Sequence, residues 1–98
     1  MLENLVFIEL KRQQKEICYF KNRGGCDFVA AKNTEIESII QVCYELNADN
    51  MDRAINGLKE AMLELGLIDG LILTLDQEGE IQDTSINMKL MPVWKWMN

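Results

Sequence analysis

"IIQVCYEL", Ile39–Leu46, is the stretch on which the fold turns. Its branched and aromatic side chains read as a strand. Side chains alternate along a strand, so Gln41, Cys43 and Glu45 share one face and Ile40, Val42 and Tyr44 the other. An amide, a thiol and a carboxylate in line are either the wet side of an ordinary sheet or the place of a site.

Downstream, "LNADN" (46–50) offers capping side chains, with Asp49 and Asp52 spaced as at a helix start. Met51, Ala54, Ile55, Leu58, Ala61, Met62 and Leu65 then fall at three- and four-residue intervals. They form one apolar helical stripe, and Gly66 stops it. "DGLILTLD" (69–76) is a continuous apolar run between turn residues, as in a strand covered on both faces. Strand, helix and strand in this order predict a crossover with a parallel pair. A polar turn region, "QEGEIQDTS" (77–85), holds a weak strand at Glu80–Gln82. "INMKLMPVWKWMN" (86–98) reads as a last strand. Pro92 cannot donate to a ladder, which places that strand at an edge. On a strand Trp94 and Trp96 share a face, either covering the core or marking a partner contact.

Upstream, "LENLVFIELKRQQ" (2–14) has apolar residues near helical spacing and basic residues toward its end, where they suit the helix dipole. "EICYFK" (16–21) and "CDFVAAK" (26–32), separated by "NRGG" (22–25), predict a hairpin. The order is α-β-β-β-α-β plus a C-terminal strand. This is one α/β domain over residues 1–98, a mixed central sheet flanked by helices.

Composition agrees with a folded domain: 98 residues, 48% hydrophobic and 27% charged. The apolar runs are too short to span a bilayer, and the N-terminus lacks a signal-peptide pattern. Cys18, Cys26 and Cys43 are odd in number, without CxxC spacing, in a chain with no histidine. That excludes a structural zinc site and reads as reduced thiols in the cytoplasm. The net charge of −6 is uneven: residues 1–32 carry six basic against four acidic side chains, residues 33–98 four against twelve. Lys11, Arg12, Lys15, Lys21 and Arg23 are the candidate basic cluster. They read more simply as a solvated helix end and hairpin tip than as a grip on a phosphate backbone. There is no GxxxxGK[ST], so the chain does not bind ATP through a P-loop.

Asp27, in "GGCDFVAAK" (24–32), taken alone reads as solvent-facing near a strand start. Adjacent strands, however, bring it beside Gln41 and Cys43, and Glu3 on the first helix is a third polar group within reach. Through "LENLVFIEL", "GGCDFVAAK", "IIQVCYEL" and "GLILTLD…MPVWKWM" the chain resembles the C-terminal domain that follows the P-loop module in many bacterial and archaeal AAA-type ATPases. That domain has the PD-(D/E)XK, restriction-endonuclease-like fold. The resemblance covers nearly the whole chain, and its specificity lies in the order and spacing of short motifs.

What the resemblance implies is an αβββαβ core with an extra C-terminal edge strand. In active members of that fold, a helix-one glutamate, a strand-two aspartate and a strand-three glutamate bind a divalent metal. A lysine two residues after that glutamate helps activate water. Magnesium takes oxygen ligands, and an ammonium stabilises charge at the attacked phosphate. Carried over, Glu3 and Asp27 match, but the E-x-K element reads Gln41-Val42-Cys43. Gln41 keeps an oxygen without its charge, and a thiol cannot replace an ammonium. Lys32 has the wrong parity to stand in for the lysine, and Lys21 is the remaining candidate.

The expectation is a catalytically inactive nuclease-like domain with no cofactor, a binding or regulatory module of, or derived from, an AAA-type ATPase. The alternative is a magnesium-dependent DNA nuclease with a displaced lysine, Glu3 and Asp27 holding the metal. A third reading is a plain α/β interaction domain. A protein partner, or a homodimer through the C-terminal strand, is expected, with no membrane and with nucleic acid left open. The start at Met1, just before the first motif, reads as a domain taken from a longer ancestor.

Overall fold

The computed structural model describes residues 2–22 and 25–98. The expected glycine turn at 22–25, Arg23 of the basic cluster and the side chain of Cys26 lie outside the described residues. The elements in order are α1 (Leu2–Arg12), β1 (Glu16–Asn22), β2 (Gly25–Lys32), β3 (Glu35–Val42), α2 (Met51–Leu65), β4 (Asp69–Thr74), β5 (Gly79–Asp83), β6 (Ile86–Pro92) and α3 (Val93–Trp96). The strands form one mixed sheet in the order β1-β2-β3-β4-β6-β5. β1, β2 and β3 run as an antiparallel meander. β3 pairs with β4 in parallel across α2, and β4 with β6 in parallel. Among the described residues no helix is long and apolar enough to cross a membrane.

The stripe along α2 packs as its spacing predicts, burying Ala54, Leu58, Ala61 and Met62. Gly66 ends it in the left-handed region at φ 72°. There the Gly66 N–H reaches the Leu63 carbonyl and the Leu67 N–H the Met62 carbonyl at 2.8 Å, which satisfies the last helical acceptors. The helix start differs from the sequence expectation. Asn47, not Asp49, organises it: its Oδ1 accepts from the N–H groups of Asp49 and Asn50, and its carbonyl accepts from Met51 N–H. Any short polar side chain in "LNADN" satisfies the pattern, and the backbone path decides which one turns inward.

The C-terminal segment corrects two expectations. β6 is not an edge strand, because it lies between β4 and β5, and the sheet's edges are β1 and β5. Pro92 is tolerated there because it is the strand's last residue, with φ −64° leading directly into α3. Trp94 and Trp96 therefore sit on a helical turn rather than a strand: Trp94 is exposed and Trp96 packs partly inward. With both sides of β6 paired, self-association through that strand has no free edge to use.

Two apolar clusters fill the two sides of the sheet. On one, α2 covers Val29, Ile39, Ile72, Ile86 and Met88. On the other, α1 and α3 cover Phe28, Ala30, Ile40 and Leu73. Gly70 of β4 lets α2 approach: a Cβ there would lie 2.6 Å from Met62 Sδ. The register between β2 and β3 decides which polar side chains join which face. The two-residue turn at Asn33 and Thr34, both at positive φ, starts from the pair Lys32–Glu35. A bulge near Ala30 and Ala31 then shifts the pairing by one, giving Ala30–Ser38, Val29–Ile39 and Phe28–Ile40. Continued one residue further, this register sets Asp27 opposite Gln41.

Candidate functional site

The site is built on that shifted register. Asp27 lies on the same side of β2 as Val29, and Gln41 and Cys43 on the same side as Ile39, so all three face α2. Phe20 pairs with Asp27, and Gln41 with Ile72 and Ile72 with Leu90; the β2–β3 register, continued one residue past Phe28–Ile40, joins the two sets into one row. Asp27 is fully buried, against the solvent-facing expectation for it alone, and Gln41 is 4% exposed. The Gln41 Oε1 has no hydrogen-bond partner among the described residues. Such a buried polar atom costs stability and is uncommon unless something else constrains it.

β3 ends at Val42, but the Cys43 N–H still bonds to the Leu73 carbonyl at 2.9 Å, so Cys43 keeps its place in the row. Its thiol donates to the Glu45 carbonyl at 3.4 Å, and Asn50 Nδ2 donates to that same carbonyl at 2.9 Å. Burial pushes the Cys43 thiol pKa up, against smaller lowering effects of the Glu45 backbone bond and of Arg53. It is a neutral thiol at physiological pH. Glu45, which the alternation placed on the same face, lies in the loop beyond the strand and is exposed.

Gln41, Val42, Cys43, Asn50, Arg53 and Ala54 line a small pocket of roughly 80 Å³ between the end of β3 and the start of α2. Asn50 and Arg53 escaped the sequence reading because they belong to the site only through the packing of α2 over Gln41. The floor beyond is braced by Gln77. Its Oε1 accepts from Leu46 N–H at 2.7 Å and its Nε2 donates to the Leu46 carbonyl at 2.9 Å, joining the loops after β3 and β4.

Glu3 does not enter this row. It is exposed in the first turn of α1, and α1 packs Leu2, Val6 and Leu10 on the opposite face of the sheet. Lys21 is likewise turned away: Phe20 shares the face of Asp27, so Lys21, one residue on, points to the α1 side. Two members of the basic cluster are held by acidic neighbours. Arg12 clasps the buried Glu9 through two hydrogen bonds, at 3.0 and 2.6 Å, and Lys15 pairs with Glu37. The Arg12 hydrogen bond, followed by that of Gln13, holds the Glu9 carboxyl below its usual pKa.

A magnesium ion takes about six oxygen ligands, with carboxylates supplying charge. This row offers one carboxylate, Asp27, and one neutral amide oxygen, Gln41. Among the described residues no three of His, Cys, Asp and Glu come together to hold an ion. The donor set does not fit the metal that the resemblance implies.

Comparison with known proteins finds an uncharacterized protein of Methanocaldococcus jannaschii, 34% identical over 110 aligned residues. The alignment covers 98% of this chain but 24% of that relative, so the chain spans about a quarter of the relative's length. No family model matches the chain. No solved structure matches it.

Proposed function

We propose that the chain is a catalytically silent domain of the restriction-endonuclease-like kind, a binding or regulatory module of a longer, AAA-type ATPase polypeptide acting in the cytoplasm. The observation that carries this is that Asp27 and Gln41 are both buried on the α2 side of adjacent strands, opposite each other when the β2–β3 register is continued one residue past Phe28–Ile40, with Cys43 two residues on. In the fold the chain resembles, this is the position of a metal-dependent phosphodiesterase site, and the side chains here lack one of its carboxylates and its lysine. The αβββαβ order and the antiparallel meander running into a parallel pair support the same fold. A relative four times as long supports the reading of one module among several.

The displaced-lysine nuclease is the weaker reading, because Lys21 lies on the other face and the cation lining the pocket is Arg53. Calorimetric titration with Mn²⁺ of the native chain and of Gln41→Glu with Cys43→Lys tests the proposal. Restoring the carboxylate and ammonium at this location raises metal affinity over the native chain. Equal affinity in both folded proteins means the row is not the remnant of a metal site.

A further inference from the structure

The two faces of the sheet are covered unequally. α2, fifteen residues long, closes one face over a continuous core. The other face carries the eleven-residue α1 over β1 and β3, and the four-residue α3 over β4 and β6. The exposed apolar side chains follow this asymmetry. Leu5 and Ile8, 45% and 54% exposed, stand on the outer side of α1, whose inner side buries Leu2, Val6 and Leu10. Trp94, 59% exposed, and Met97 stand outside α3, while Val93 and Trp96 pack inward. Tyr44 and Leu75, joined by the Leu75 N–H to the Tyr44 carbonyl at 3.1 Å, continue the alternation that turns Val42 and Leu73 to this side. The α2 side exposes Met51, Leu63 and Ile68, which are spread along the helix and past its end.

A surface helix of a monomer needs one apolar stripe, and α1 has two. Large exposed apolar patches mark interaction surfaces, and Leu5, Ile8 and Trp94 on this face are each 45% or more exposed. The place of α1 and α3 in the chain indicates the occupant. α1 is the first element and α3 the last, so the chain enters and leaves the domain in the layer that carries this patch. The archaeal relative that aligns with 98% of this chain has about three quarters of its length outside the alignment. In a polypeptide of that kind, the neighbouring segments meet this face first.

We propose that the α1/α3 face is the docking surface for the adjoining module of a longer polypeptide, with Leu5, Ile8 and Trp94 as its anchors. This rests on the reading of the chain as one module of such a protein. The contact is apolar and intramolecular, and it leaves the row of Asp27 and Gln41 on the far side of the sheet untouched.

Exchanging this 98-residue chain for the aligned stretch of the intact archaeal relative, and comparing amide exchange with the free chain, tests the proposal. Segments 3–8 and 93–97 exchange at least about tenfold more slowly in the chimera, while α2 is unchanged. Leu5→Asp with Ile8→Asp, both exposed and so tolerated by the fold, removes that protection. Equal exchange of α1 and α3 in chimera and free chain overturns the proposal. So does a dimer of the free chain by light scattering that the same two substitutions dissolve, because the occupant is then a second copy. Metal-dependent cleavage by the native chain overturns the silent-domain reading instead and leaves the docking result standing, so the two failures are distinguishable.

Discussion

Gln41→Glu places a second carboxyl beside Asp27 in a row where Gln41 is 4% and Asp27 0% exposed. Burial and a like-charged neighbour both disfavour ionisation, and together they raise a carboxyl pKa by about two or more. At about 1.4 kcal/mol for each pKa unit, the folded state loses about 3 kcal/mol relative to the native chain once the new group must ionise. The sign follows from proton binding. The folded state holds the proton more tightly than the unfolded chain, so the loss is absent below the unfolded value near 4.3. It grows as pH rises and levels off above the raised folded value. Urea unfolding from pH 4 to pH 8, followed through Trp94 and Trp96, measures it. Adding Asp27→Asn to Gln41→Glu recovers part of the loss, because it removes the neighbouring carboxyl and leaves the burial. Native and Gln41→Glu stability curves that stay parallel from pH 4 to pH 8 refute the adjacency of the two side chains.

Other outcomes test the packing around the site. Gly70→Ala drives a methyl group to within 2.6 Å of Met62 Sδ and 3.2 Å of Leu58 Cδ2, both fully buried. It destabilises the domain by about 1–3 kcal/mol in urea unfolding, and by less in a Met62→Ala background. Gln77→Ala removes both hydrogen bonds to Leu46, costs about 1–3 kcal/mol and speeds amide exchange at Leu46. The Lys59 hydrogen bond, then that of Thr84, holds the Asp83 carboxyl below its usual pKa. The stability this contributes is present above the unfolded carboxylate value and is lost as pH falls through the folded one. Lys59→Ala moves the Asp83 titration upward by NMR.

The elements legible in the sequence were those whose period is set locally. The stripe from Met51 to Leu65 with Gly66 behind it, and the apolar run of β4, each specify their element without reference to the rest of the chain. The pairing of β3 with both β2 and β4 followed from short connections and the crossover. The neighbourhood of Asp27 and Gln41 depended on something the sequence does not announce. Continuing the turn pair Lys32–Glu35 without a shift sets Asp27 opposite Ile40, and the bulge near Ala30 and Ala31 moves it to Gln41.

The C-terminus departs from its sequence expectation because proline carries two meanings. Pro92 signals an edge inside a strand, but at a strand's last residue it signals an end, and α3 begins there. Glu3 was placed near the site by helical reach alone, and it failed because the buried Leu2, Val6 and Leu10 commit α1 to the other face. Arg53 and Asn50 had no local signal at all. They line the pocket only because α2 crosses the end of β3.

Plasmid nicking by the purified native chain with Mg²⁺ or Mn²⁺ tests the proposal that the row of Asp27 and Gln41 is a nuclease-like location without nuclease chemistry. The account predicts supercoiled plasmid unchanged under conditions where an active nuclease control converts it to open circles. Metal-dependent nicking by the native chain, abolished by Asp27→Ala, contradicts it.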